Sequence, residues 1–127
     1  MGALTACSPS KATVTIDGTT ISAARATTVE QQEAGLKGRV DLQLNEGMLF
    51  ELAEPQDTSV WGHGMLIPLD VVWILNHEVV RVDALNPCDW DTPEQCEKIP
   101  SPGKVDAILE VHRDVFSHVE PGTSVSY

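Results

Sequence analysis

The chain has 127 residues, of which 42% are hydrophobic, and this length and composition favour one globular domain with a single core. Its 19 acidic and 8 basic residues give a formal net charge of −11, which disfavours nucleic acid and anionic lipid surfaces as partners. The most apolar run, Met65–Leu75, contains Pro68 and Asp70 and is too short to cross a bilayer.

The chain begins with a polar stretch and continues into a predicted hairpin. Residues 1–11 are predicted to form a flexible tail, and residues 12–127 a single β-rich domain. The stretch ATVTIDGTTISAARA is rich in β-branched residues on both sides of Asp17-Gly18. That dipeptide is typical of a two-residue turn between antiparallel strands, so the pattern predicts the first two strands of a sheet.

A short helix is predicted next, in the segment TTVEQQEAGLKGR. Thr27 and Glu30 have the spacing of a capping box, in which each side chain bonds the backbone N–H of the other residue. Val29 and Leu36 are seven residues apart and would therefore share one face of the helix. Gly38 is placed where a glycine commonly ends a helix.

Predicted strands dominate the rest of the chain. Gly47–Leu52 forms a short strand, and two longer strands meet at a tight turn made by Asn76 and His77. The first long strand, 69–75, is apolar on both faces, as in a central strand, whereas the second alternates apolar and polar residues. Val105–Val111 gives another alternating strand, and PGTSVSY a turn and a closing strand. This succession predicts a mainly β (α+β) fold, an antiparallel sheet curled into a small open barrel with one or two short helices.

Two of the three cysteines lie in the long, proline-rich loop 86–104. Cys88 and Cys96 stand among polar side chains, although cysteine generally prefers the interior. A disulfide between them would stabilise the fold by about 2–3 kcal/mol and would indicate an oxidising compartment. Two free thiols in a cytosolic protein are the alternative. A zinc site is disfavoured because no second Cys or His pair has the required spacing.

The third cysteine, Cys7, follows Leu4-Thr5-Ala6 and resembles the cysteine of a bacterial lipobox. In that motif a signal peptidase cuts before the cysteine, whose sulfur carries a diacylglyceryl group. The next residues, SPSK, suit a flexible tether between an anchor and a folded domain. The resemblance implies an extracytoplasmic protein, in the periplasm or at the cell surface, held at the membrane only through a lipid on Cys7. An accidental cysteine is the alternative.

Four segments taken together resemble the family called domain of unknown function 192. They are GLKGR (Gly35–Arg39), EGMLFEL (Glu46–Leu52), the stretch Trp61–Ile74 with its LIPLDVVWI, and AILEV (Ala107–Val111). The resemblance covers roughly residues 12–127. It implies a small β-rich open barrel with a helix, in a family whose members are commonly exported or lipid-anchored and for which no reaction is established.

The chain departs from the family's usual pattern at one motif. The usual Trp-Met-Lys-Asn-Thr reads here Trp61-Gly62-His63-Gly64-Met65, so His63 and Gly64 replace a lysine and an asparagine. If those polar groups bind a ligand in the family, this member binds differently or not at all.

Asp70 is the most unusual residue of the apolar run, because an unpaired buried charge is very costly. We expect it either to pair with Arg39 or to accept backbone N–H bonds from residues 62–64. In one interpretation the pairing only holds the fold together. In the other, the residues line a pocket with Trp61 as its apolar wall. The predicted pocket residues are Arg39, Trp61, His63 and Asp70.

The sequence contains no evident catalytic constellation, cofactor motif or metal site. Glu110 and His112 would share one face of a strand, but no third ligand is visible. The sequence therefore favours a non-enzymatic binding or interaction domain whose partner is a small molecule or an envelope protein. The alternative is a small hydrolase or lyase in which His63 is the general base and Asp70 orients it. That alternative requires the two side chains to lie within hydrogen-bonding reach at an open pocket.

Overall fold

The computed structural model of the chain describes residues 10–88 and 91–127, most of which belong to one curled sheet. The elements in chain order are β1 (Lys11–Ile16), β2 (Thr19–Ala26), α1 (Val29–Ala34), β3 (Glu46–Gln56), β4 (Ser59–Trp61), β5 (Leu69–Leu75), β6 (Glu78–Leu85), a 3₁₀ turn (Pro93–Gln95), β7 (Lys98–Pro100), β8 (Val105–His112) and β9 (Val125–Ser126). The mainly β fold predicted from the sequence is confirmed. β1 begins at Lys11, the last residue of the predicted tail.

Seven strands form the main sheet in the order β6-β5-β8-β3-β2-β1-β9, and β4 pairs with β7 in a second, small sheet. Neighbouring strands are antiparallel except β2 and β3, which run parallel because α1 carries the chain back between them. Near β9, the Gly122 N–H donates to the Val79 carbonyl at 2.7 Å and the Val125 N–H to the His77 carbonyl at 2.8 Å. Since β9 also pairs with β1, the two ends of the sheet approach each other and the sheet forms a half-barrel.

Both predicted hairpin turns are confirmed. Asp17 and Gly18 have φ angles of 51° and 80°, and Asn76 and His77 have φ angles of 51° and 60°. Positive φ at both central residues gives a turn whose twist matches that of the flanking strands. His77 is held in this conformation by its ring, which stacks on Tyr127 with centroids 4.3 Å apart.

The helix begins one residue later than the sequence predicts. The cap is Thr28, whose hydroxyl accepts from the Gln31 N–H at 3.0 Å while the Gln31 side chain accepts from the Thr28 N–H at 3.1 Å. The expected capping box of Thr27 and Glu30 is therefore wrong by one position. The register is set by Gln32, whose side-chain amide donates to carbonyl groups of β2 and β3 at 3.1 Å each.

The helix also ends earlier than predicted, at Ala34, because Gly35 adopts a φ of 49°. Gly38 lies beyond the end and does not terminate it. Val29 is 65% exposed, whereas Leu36 is buried in the segment after the helix. The two residues therefore do not share a buried helical face.

The sheet buries one hydrophobic core on each face. We call the first the helix-side core, which contains Leu36, Phe50, Met65, Val71, Trp73 and Ile108. The opposite core contains Val14, Ile21, Leu49, Val72, Leu109 and Phe116. β5 is buried on both faces, as predicted for a central strand, and its neighbour β8 is buried in the same way.

Candidate functional site

The helix-side face of the sheet carries a cavity of about 420 Å³. Residues from α1, β3, β4, the loop 62–65 and β8 line it. Most of its wall is apolar, and the main apolar contributors are Phe50, Leu52, Val60, Trp61, Met65 and Ile108. Small-molecule sites in proteins commonly measure about 300–1,000 Å³ and combine apolar walls with a few polar groups. Here the polar groups include His63 and Glu110.

Trp61 and His63 form one wall of the cavity, so the structure brings together two of the four predicted pocket residues. Their ring centroids are 5.0 Å apart and the rings are tilted by 52°. Trp61 ends β4, where it pairs with Lys98 of β7. The Lys98 ammonium lies 5.2 Å from the centroid of the Trp61 ring, within the range of a cation–π interaction.

The loop that carries His63 is fixed to the loop that follows β6. The Cys88 N–H donates to the Gly62 carbonyl at 2.9 Å, and the Gly64 N–H donates to the Cys88 carbonyl at 3.4 Å. A Cβ atom on Gly62 would lie 1.8 Å from the Asn86 carbonyl oxygen, so this approach of two backbones requires glycine. His63, which stands where the family's usual motif has another residue, thus belongs to a fixed loop at the cavity.

The predicted disulfide between Cys88 and Cys96 is confirmed, with Cα atoms 5.7 Å apart. It closes the loop against which the His63 segment is paired. Cys7, the predicted lipidation site, lies outside the described residues.

Glu110 also lines the cavity, a position that the sequence did not predict for it. It is 5% exposed and lies on β8, opposite Met48 of β3 and Val71 of β5. Burial raises the pKa of Glu110 from 4.5 to about 7. Its sequence signal is an acidic residue between Leu109 and Val111, an apolar context like that of Asp70.

Asp70 lies on the other face of the sheet. It pairs with Val111 across β5 and β8, one position away from the pairing of Glu110, so the two carboxylates point to opposite faces. Asp70 is 1% exposed, and its Oδ2 accepts from the Phe116 N–H at 3.0 Å. Its Oδ1 lies 3.8 Å from Nε of Arg113. The predicted burial and hydrogen bonding of Asp70 are confirmed, but the predicted partners are wrong.

Arg39 lies at the surface and does not line the cavity. Its Nη2 donates to the Asp41 carbonyl at 3.1 Å and lies 3.9 Å from a carboxylate oxygen of Glu46. The predicted pair of Arg39 and Asp70 is therefore wrong. The physical reason is that Arg39 belongs to an exposed loop before β3, whereas the partners of Asp70 come from the turn after β8.

The predicted general base and its orienting carboxylate do not come together. His63 lines the helix-side cavity. The carboxylate of Asp70 is bonded on the opposite face of the sheet, next to Phe116. The hydrolase or lyase alternative requires a hydrogen bond between His63 and Asp70 at an open pocket, and this arrangement is not present.

Glu110 and His112 share a face of β8, as expected from their spacing. Within residues 10–88 and 91–127, however, no group of three His, Cys, Asp or Glu side chains is arranged to hold a metal ion. The same part of the chain contains no helix that is long and apolar enough to span a membrane.

Two solved structures are similar to this chain over most of its length. A protein of unknown function from Novosphingobium aromaticivorans DSM 12444 matches with a TM-score of 0.80 and 25% identity, over 92% of this chain and 85% of that one. A protein from Sinorhizobium meliloti 1021, described as a proposed transcription regulator, matches with a TM-score of 0.83 and 23% identity, over 96% and 97% of the two chains. The second likeness concerns the fold alone. No curated protein matches the chain.

Family comparison agrees with the four sequence segments that carry the resemblance. The model of the DUF192 family, described as an uncharacterized ACR, matches residues 12–127. This range includes every residue that lines the cavity. Because the match covers nearly the whole chain, the protein belongs to the DUF192 family.

Proposed function

We propose that the protein is an extracytoplasmic, lipid-anchored binding domain whose ligand is a small molecule held in the helix-side cavity. The observation that carries the proposal is Glu110, a carboxyl group only 5% exposed that lines a mostly apolar cavity. Apolar walls with a few placed polar groups are the usual composition of a small-molecule site.

The position of Glu110 is costly for the fold, which supports a role in binding. Burial is the cause of its raised pKa. An apolar side chain of similar size would fill the same position without that cost. Groups that destabilise the folded state and lie in a cavity are characteristic of functional sites.

A binding experiment with isotope-labelled protein tests the proposal. Small aromatic and alicyclic compounds are titrated in, and we expect amide shift changes to concentrate in β4, the loop 62–65 and β8. Val60→Trp should fill the cavity and weaken binding by about tenfold or more, since tenfold corresponds to ~1.4 kcal/mol. Val40→Trp is the matched control, because Val40 is 73% exposed and outside the cavity.

Two results would count against this proposal. One is that no compound in the panel perturbs the residues that line the cavity. The other is that Val60→Trp, shown by circular dichroism to be folded, binds as tightly as Val40→Trp. Should Val60→Trp not fold, Thr58→Phe at the same wall provides a second occluding variant.

The proposed location rests on two independent features of the chain. The Cys88–Cys96 disulfide suits an oxidising compartment. The residues Leu4-Thr5-Ala6-Cys7 resemble a lipobox. A net charge of −11 would keep the anchored domain away from anionic lipid, so that the lipid alone holds it at the membrane.

Cell fractionation tests the anchor. In the native cell, the parent protein is expected in the membrane fraction, and Cys7→Ser is expected in the soluble fraction, since loss of acyl chains removes about 0.8 kcal/mol for each buried methylene. Ser10→Ala, at an exposed position shortly after Cys7, serves as the control that changes the same segment without touching the anchor or the disulfide. Equal membrane retention of Cys7→Ser and the parent would disprove lipidation at Cys7.

A further inference from the structure

We infer that the ligand is an organic cation: a protonated amine on an apolar, preferably aromatic, body, with its ammonium group bonded to the Glu110 carboxylate. This inference rests on the proposed function and narrows the class of ligand that the cavity takes.

When it is ionised, Glu110 presents a negative charge to the cavity that it lines. An ionised carboxylate only accepts hydrogen bonds, so its complement is a group with N–H donors, and the bond is strongest when the donor is charged. The arginines of the chain are already paired with other acids. These pairs are Arg25–Glu51, Arg39–Glu46, Arg81–Asp83 and Arg113–Asp70. Lys37 lines the cavity, but it is exposed.

Apolar and aromatic side chains line the same cavity as this carboxylate. Phe50 and Trp61 contribute rings to the lining, and Met65 and Ile108 contribute aliphatic surface. The Trp61 ring already attracts the Lys98 ammonium at 5.2 Å. An amine with an apolar body would place its charge on Glu110 and bury its carbon skeleton against these side chains.

The electrostatic field of the whole protein also favours a cationic ligand. A net charge of −11 raises the local concentration of cations and lowers that of anions. A carboxylate ligand would face this field and the Glu110 carboxylate together, so the class of anionic ligands is disfavoured. A neutral ligand is compatible with the walls but leaves the carboxylate without a charged partner.

The inferred binding depends on pH in a defined direction. Besides Glu110, the titratable groups in the cavity lining are Glu33, Lys37 and His63, and His112 follows on the same face of β8. An ammonium group favours the ionised form of Glu110, so binding lowers the pKa of Glu110 below its raised value of about 7 and releases a proton. Affinity should therefore rise between about pH 5 and 7 and level off above the free pKa.

The experiment compares amines with alcohols of the same skeleton by calorimetry at pH 8 and pH 5. The pairs are 2-phenylethylamine with 2-phenylethanol, tryptamine with tryptophol, and hexylamine with hexanol. At pH 8 we expect at least one amine to bind about tenfold or more tightly than its alcohol, which is the effect of ~1.4 kcal/mol. At pH 5 this preference should fall to within about twofold, since Glu110 is then protonated.

Two variants isolate the carboxylate. Glu110→Gln keeps the shape of the side chain and should abolish the preference for amines at pH 8. Glu54→Gln removes the same charge from an exposed position of β3 outside the cavity and should retain the preference. Proton release, measured at about pH 6.5 as the difference in binding heat between two buffers, should accompany amine binding to the parent protein, because Glu110 is still partly protonated in the free protein at that pH. Because it needs no variant, it remains decisive if Glu110→Gln fails to fold.

The remaining outcomes distinguish a failure of the proposed function from a failure of the inferred ligand class. If none of the six compounds binds, the proposed function is contradicted and the inference falls with it. If alcohols bind in the cavity as tightly as amines at pH 8, the cavity is a binding site but the inferred class of ligand is wrong. A preference for amines that survives Glu110→Gln, or amine binding without proton release at about pH 6.5, would likewise overturn the inference.

Discussion

Asp70→Ala is expected to lower the free energy of unfolding by about 3–5 kcal/mol, the usual cost of removing one partner from a buried charged pair. The Asp70 side chain is 1% exposed and accepts from the Phe116 N–H. Its loss leaves that N–H buried without its acceptor and removes the carboxylate 3.8 Å from the Arg113 guanidinium. Since Arg113 is 26% exposed and regains some hydration, the effect should lie near the lower end of this range.

Urea denaturation at pH 7 measures the free energy of unfolding of Asp70→Ala, and two further variants show the cause of its loss. Asp57→Ala removes the same group from an exposed position and should change stability by less than about 0.5 kcal/mol. Asp70→Asn keeps an oxygen that accepts from Phe116 but removes the charge. Recovery of most of the lost stability in Asp70→Asn would assign the effect to hydrogen bonding. An Asp70→Ala midpoint equal to that of the parent would show that the carboxylate does not hold the turn after β8.

Glu110→Gln is expected to stabilise the protein at pH 8. The pKa of Glu110 is raised from 4.5 to about 7 by burial, so the folded state binds this proton more tightly than the unfolded state does. The destabilisation by ionised Glu110 is therefore absent below about pH 4.5, grows up to about pH 7 and is constant above. At ~1.4 kcal/mol for each pKa unit, Glu110→Gln should gain about 3 kcal/mol at pH 8 and less than about 1 kcal/mol at pH 5.

Denaturation of the parent and variant at both pH values checks this prediction. Glu54→Gln is the matched control, because Glu54 is exposed on β3 and should show no pH-dependent gain. A gain in Glu110→Gln that is equal at pH 5 and pH 8 would mean that packing, and not ionisation, accounts for it. No gain at either pH would mean that the cavity solvates the carboxylate well.

The strands could be predicted because their signals are local. Turn dipeptides such as Asp17-Gly18 and Asn76-His77 fix the hairpins, and the apolar character of β5 on both faces identifies a central strand. The helix start could not be placed to the residue, since both Thr27 with Glu30 and Thr28 with Gln31 fit a capping box. The choice depends on contacts to β2 and β3, which are distant in the sequence.

The site was less predictable than the fold because its residues come from distant segments. The apolar neighbours of Asp70 predicted its burial correctly, but its partners lie more than forty residues later, after β8. Trp61 and His63 do line a cavity together. Glu110 could be recognised only once α1 and β4 were known to cover its face of β8, because alternation in a strand does not tell which elements pack on it.

NMR titration of the Glu110 carboxyl carbon tests most directly whether the cavity binds a ligand through this carboxylate. The titration is recorded without ligand and with saturating 2-phenylethylamine, and Glu110→Gln identifies the signal. We expect the pKa of Glu110 to be near 7 in the free protein and lower by about one unit or more in the complex. A free pKa near the ordinary 4.5, or a titration curve that the amine leaves unchanged, would contradict this expectation.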